Sequence, residues 1–135
     1  AAQGSFTISA DLAGRHIPPD RPLRPSAGIR PSDLEWGGAV RSRIRAGSEA
    51  WYRVRSGGQP LEIRMRPDEG GGDLDLEAYR GDGGDLRIVA ASAAYSGVER
   101  IRLDGSESEY WVRVYEFTSE QNQGQGGSFR IEARR

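Results

Sequence analysis

Residues 74 to 79 read Leu-Asp-Leu-Glu-Ala-Tyr, with apolar and polar positions alternating at period two. That period puts Leu74, Leu76 and Ala78 on one face of an extended strand, with Asp73, Asp75, Glu77 and Tyr79 on the other. The pattern recurs along the chain. Val40, Ser42 and Ile44 alternate with arginines, as do Leu61, Ile63 and Met65 with Glu62, Arg64 and Arg66. Tyr52 and Val54 form an inward pair; Leu86, Ile88 and Ala90 make a further strand, and so do Ile101 and Leu103. Tyr110 to Phe117 is the most apolar run, and Phe129, Ile131 and Ala133 close the chain. Glycine, aspartate, serine and proline clusters separate these runs. About eight or nine short strands with turn signals roughly every ten residues predict an all-β sandwich or barrel. No stretch has a helical period, and no internal repeat is visible.

The first third reads differently. Residues 5 to 12 alternate as one more strand, with Phe6, Ile8, Ala10 and Leu12 on one side. Residues 14 to 32 then carry Pro18, Pro19, Pro22, Pro25 and Pro31 among arginines. Proline removes a backbone donor and fixes φ, so this segment is expected to be an extended connector. The expected division is 1–36, an N-terminal strand and proline-rich segment packed on or leading into the domain, and 37–135, the β-sandwich.

Composition narrows the function classes. A chain of 135 residues fits one domain. A net charge of −1 gives no overall electrostatic reason to expect nucleic acid or an anionic membrane. All nineteen basic residues are arginine, the mark of a GC-rich coding bias. There is no cysteine, hence neither a disulfide framework nor a thiolate metal site. No apolar run is long enough to span a bilayer. Ala1-Ala2-Gln3 suits a mature end after signal cleavage, and equally a cut within a longer chain. The outward faces read as ladders of arginine and glutamate, a solvated surface to which the sequence assigns no function.

From Ser48 to Ala133 the order of pieces resembles the bacterial pre-peptidase C-terminal (PPC) domain family. The matching pieces are Glu49-Ala50-Trp51-Tyr52-Arg53-Val54, Gly58-Gln59-Pro60-Leu61-Glu62-Ile63 and Gly72-Asp73-Leu74-Asp75-Leu76-Glu77-Ala78-Tyr79. Glu109-Tyr110-Trp111-Val112-Arg113-Val114-Tyr115 and Gly127-Ser128-Phe129-Arg130-Ile131 resemble the closing pair of strands. The resemblance implies a jelly-roll-like antiparallel β-sandwich, accessory to secreted peptidases and often removed during maturation. It also implies no catalytic activity of its own. Some relatives, the collagen-binding domains of clostridial collagenases, bind calcium and collagen. The proline-rich first third departs from the family pattern.

Two sets of residues carry candidate chemistry. Asp68, Glu69, Asp73 and Asp75 lie within eight residues, separated by glycines, and calcium takes several oxygen ligands at flexible spacing. The alternative is an acidic loop leading into a strand whose Asp75 caps local backbone amides. In the strand from Tyr110, the residues Tyr110, Val112 and Val114 face inward. That leaves Trp111, Arg113, Tyr115 and Phe117 on the opposite face, where aromatics would stack on sugar rings or pack on protein. The alternative is a central strand covered on both faces, with Trp36 and Trp51 joining the same cluster. His16, the single histidine, sits in the connector and supports no catalytic constellation. Arg80-Gly81-Asp82 is expected by chance in a chain this rich in arginine and glycine. The expected function is a non-catalytic accessory or binding module of an exported bacterial protein, secreted, periplasmic or on the cell surface. Its expected partner is a protein or polysaccharide surface, met as a monomer. A carbohydrate-binding module and a propeptide-like chaperone segment of a parent enzyme are the alternatives.

Overall fold

The computed structural model describes residues 22–23, 30–82, 84–92, 97–119 and 123–135. The alternating runs become strands: β1 (Pro22–Leu23), β2 (Ser32–Asp33), β3 (Ala39–Ile44), β4 (Glu49–Arg55), β5 (Leu61–Pro67), β6 (Leu74–Asp82), β7 (Asp85–Ser92), β8 (Glu99–Leu103), β9 (Glu109–Glu116) and β10 (Gly127–Arg134). Eight are five residues or longer, and β1 and β2 are two-residue pieces. No helix occurs among the described residues.

The strands form two sheets, ordered β1-β7-β6-β9-β4-β2 and β3-β10-β5-β8. Only β6 and β7 are neighbours both in sequence and in a sheet; every other pairing joins strands that are not consecutive along the chain. Chain order thus switches repeatedly between sheets, which is jelly-roll topology. All strand pairings are antiparallel except β2 against β4. The all-β sandwich expected from the alternation is what forms.

One apolar layer lies between the sheets. Leu61, Ile63 and Met65 of β5 meet Leu74, Leu76 and Ala78 of β6, Val112 and Val114 of β9, and Phe129 and Ile131 of β10, all buried. Burying each of the larger side chains contributes about 1.5–3 kcal/mol. Tyr52 and Val54 belong to the same layer, as expected.

The end of the proline-rich segment is part of the sandwich. Ser32 and Asp33 pair with Tyr52 and Arg53. The Leu34 N–H donates to the Arg53 carbonyl at 2.9 Å, and the Leu34 side chain is buried in the core. Arg53 Nη2 holds Asp33 Oδ1 at 2.9 Å. Pro22 and Leu23 pair with β7 at the far edge of the same sheet. The strand expected over residues 5–12, and His16, lie outside the described residues.

Strand β7 departs from the expected pattern. Leu86, Ile88 and Ala90 do not share a face, because the β6–β7 register shifts between Ala78 and Tyr79. Ala78 faces Ala90 while Tyr79 faces Ile88, so Val89 is an extra residue on β7. Leu86 and Ile88 therefore join the outer cluster, and Val89 and Ala90 pack on the core.

Candidate binding face

The outer side of the six-stranded sheet holds a second, smaller buried cluster, so β9 is covered on both faces, the alternative weighed for it from the sequence. Trp51 of β4, Tyr79 of β6, and Leu86 and Ile88 of β7 are buried there, with Trp111 and Ala91 packed against them. The Trp51 ring lies 5.4 Å from Tyr79 and 6.2 Å, edge-on, from Trp111. Asp75 (0% exposed) and Glu77 (5%), expected to face water, are buried as well. The two-faced burial of β6 follows from its place: it lies between β7, which adds Leu86 and Ile88, and β9, which adds Trp111.

Arg113 of β9 organises the polar part of this face. Its register partners are Trp51 on β4 and Glu77 on β6, so the guanidinium reaches carboxylates on both flanking strands. Nη2 lies 2.8 Å from Glu49 Oε1, and Nη1 lies 3.1 Å from Glu77 Oε1. Nε donates to Glu49 Oε1 at 3.0 Å. The guanidinium carbon sits 4.4 Å from the centroid of the Tyr115 ring, a cation–π contact. The Trp51 indole N–H donates to Glu49 Oε2 at 2.6 Å, and the Tyr79 hydroxyl donates to Glu77. Burial favours loss of the Arg113 charge, but Glu77 and Glu49 outweigh it and hold the guanidinium more firmly protonated than usual. Burial, and then the Glu77 carboxylate, raise the Tyr79 phenol well above its ordinary range.

Of the four residues expected to form a ligand face, Trp111, Arg113 and Tyr115 are brought together. Phe117 lies past the end of β9, where its N–H donates to the Asp73 carbonyl at 2.9 Å. All four are half-buried. Trp36 stands apart from the cluster: it bridges Ala133 of β10, is 44% exposed, and carries the Arg135 guanidinium 3.9 Å over its ring. An open cleft of about 330 Å³ runs along β4 beside this face, lined by Arg30, Ser32, Ser42 and Glu49 to Tyr52.

The four expected calcium ligands are divided between surfaces. Asp68 and Glu69 are exposed, and Asp68 pairs with Arg41 at 3.5 Å. Asp73 is half-buried just before β6, and Asp75 is fully buried opposite Tyr115. Among the described residues no three carboxylate or histidine groups converge on one point as a metal shell. These residues do not fit calcium as a set.

A carboxylate that the sequence reading missed ties the loops together. Glu116, the last residue of β9, accepts from the Gly47 N–H at 2.7 Å, the Gln125 N–H at 2.6 Å and the Gly126 N–H at 2.9 Å. Burial raises its pKa, but the three backbone donors more than offset this, and it titrates below its ordinary value. Gly72 makes room for it: a Cβ there would lie 1.8 Å from Glu116 Oε2. The available signal was an acidic residue closing an apolar strand ahead of a glycine-rich loop.

No protein-family model and no curated protein sequence matches the chain. Solved structures do. The pre-peptidase C-terminal domain of collagenase from Bacillus anthracis superposes with a TM-score of 0.63 at 11% identity, over 81% of this chain and 99% of that one. The Yersinia pseudotuberculosis-derived mitogen gives 0.55 at 10%, over 71% and 82%. A surface-associated copper-binding protein of Methylomicrobium album gives 0.52 at 10%, over 76% and 97%. The fold of the family that the sequence resembles is thus the fold of this chain.

Proposed function

We propose that the chain is a non-catalytic binding module of an exported bacterial protein, and that it docks a polypeptide partner on the outer face of the six-stranded sheet. The observation that carries this reading is Arg113. Fixed between Glu49 and Glu77 and stacked on Tyr115, it holds the aromatic edges of this face in place with little side-chain entropy left to lose. Half-buried Trp111 and Tyr115 favour a protein contact over a sugar platform, which needs a ring face open to solvent. An arginine among aromatics is the composition that dominates binding energy in protein interfaces. The likeness in fold to an accessory domain of a collagenase supports the module reading and makes collagen the first partner to try. In the described residues no helix is long and apolar enough to cross a membrane.

The test is binding to immobilised collagen, with Tyr115→Ala and Trp111→Ala beside the unaltered chain and thermal melts to confirm folding. Loss of binding by folded variants is expected. Failure of the unaltered chain to bind, or full binding by both variants, would overturn the assignment.

A further inference from the structure

The four-stranded sheet sets its arginines side by side. Alternation on β3, β10, β5 and β8 sends odd or even positions outward, and register decides which of them meet. Arg130 of β10 is the direct partner of Arg41 on β3 and of Arg66 on β5. Three guanidinium side chains therefore lie in one row across three strands. In the next row Glu132 faces Arg64, which faces Arg100. Beyond it Arg134 faces Glu62, which faces Arg102. Arg43 stands opposite Ser128 at the other end. Eight arginines thus share a face with two glutamates, six positive charges in excess on a chain whose net charge is −1.

This surface is not a simple salt-laced one. Like charges directly opposite on neighbouring strands destabilise a sheet. Arg130 pairs with Glu132 at 3.0 Å and Arg41 with Asp68 at 3.5 Å, yet among the described residues Arg43, Arg66 and Arg102 make no ion pair. Edge protection would explain arginines on β3 and β8, which are edge strands, but not those on β10 and β5, which lie inside the sheet.

We infer that this face binds a linear anionic polysaccharide, one carrying carboxylate or sulfate groups along its chain. Adjacent strands lie about 4.8 Å apart, so the Arg41–Arg130–Arg66 row spans roughly 10 Å across the strands. Each guanidinium is a planar fork that takes carboxylate or sulfate oxygens in pairs. The outward positions of the four strands hold no aromatic ring for stacking bases and no large apolar side chain for entering a lipid layer. A charged glycan needs neither. The inference is independent of the docking face proposed above, which lies on the opposite side of the sandwich.

Affinity electrophoresis and calorimetry of the whole chain would test it, using heparin and polygalacturonate as sulfated and carboxylated probes. Dextran serves as the neutral control, with duplex DNA and phosphatidylglycerol vesicles as the competing anionic surfaces. Expected are binding to both acidic glycans, none to dextran, and weakening with salt. The double variant R66Q/R130Q should weaken binding by at least about tenfold, the scale of two lost charge-assisted contacts. Its melting temperature should hold or rise, and its collagen binding should be unchanged. No binding to either acidic glycan, wild-type binding by the double variant, or tighter binding to DNA or vesicles would each overturn the inference.

Discussion

The two outer faces of the sandwich start from the same sequence device, charged residues alternating with apolar ones, and handle charge in opposite ways. On the six-stranded sheet Arg113 lies between two carboxylates, one of them buried, and stacks on the Tyr115 ring. On the four-stranded sheet Arg41, Arg130 and Arg66 stand next to one another at the surface. Burial accounts for the difference. A charge removed from water must be paired, whereas one left in water tolerates like neighbours through screening. The covered face is therefore a structural and docking element, and the open one keeps unspent positive potential.

The sharpest way to break this contrast is Arg113→Ala. It would leave Glu77 buried beside Tyr79 without its cation, so a loss of about 3–5 kcal/mol is expected in urea denaturation. Replacing Arg113 and Glu77 together by leucine should recover most of that loss, because the uncompensated charge goes with its partner. A cost below about 1 kcal/mol for the single variant would mean that Arg113 behaves like an exposed ion pair, and the two faces would not differ in kind.

Glu116 comes next. Glu116→Ala strands three backbone donors, of which the Gly126 N–H is fully enclosed, and should cost about 2–3 kcal/mol. Gly72→Ala should act on the same clasp by driving a Cβ into the carboxylate. The clasp also has a pH signature. The Glu116 pKa is lowered by folding, so its contribution is fully present above the ordinary carboxylate value of 4.5 and is lost as pH falls through the lower folded value. Thermal melts across this range should show Glu116→Gln less acid-sensitive than the unaltered chain. Equal slopes would remove Glu116 from the account of acid stability.

How far the sequence reached follows the same division. The inward positions were legible because period two needs no knowledge of which strand lies beside which: Leu61, Ile63 and Met65, or Val112 and Val114, are buried whatever the topology. Outward positions depend on neighbours. Asp75 and Glu77 read as solvent-facing until β6 is seen between β7 and β9, under a cluster that includes Trp51 from a distant strand. Leu86 and Ile88 were misplaced by one extra residue, Val89, which no pattern in the run marks as a bulge. The i, i+2 arginine pairs were visible in β3, β5 and β8, but the side-by-side rows exist only through pairings such as β3 with β10, separated by most of the chain.

On the open face the expected effect on stability is small and of the other sign. Arg130→Gln removes one ion pair to Glu132 and two like-charge neighbours. Exposed ion pairs and their repulsive counterparts are each worth under about 1 kcal/mol, so the net change should lie within about 0.5 kcal/mol of zero or be slightly stabilising. Added salt should shrink that difference further. A loss of 2 kcal/mol or more, on the order of the buried-pair penalty, would show the row to be structurally required and would weaken the case that it is kept for a ligand.

The smallest effect belongs to the loop that passes from one sheet to the other. Asp68 and Glu69 stay at the exposed end of β5, where Asp68 pairs with Arg41 of the open face. Asp75 has crossed to the covered face of β6, with Leu74 of the same strand buried in the core between them. A cation held by all four would have to bridge surfaces on opposite sides of the sandwich. A ligand that binds only the folded chain must raise its melting temperature, so melts in millimolar calcium and in chelator should coincide. A calcium-dependent rise that Asp75→Asn abolishes would mean that the loop closes around an ion, drawing Asp68 away from Arg41 and leaving the open face with one more unpaired arginine.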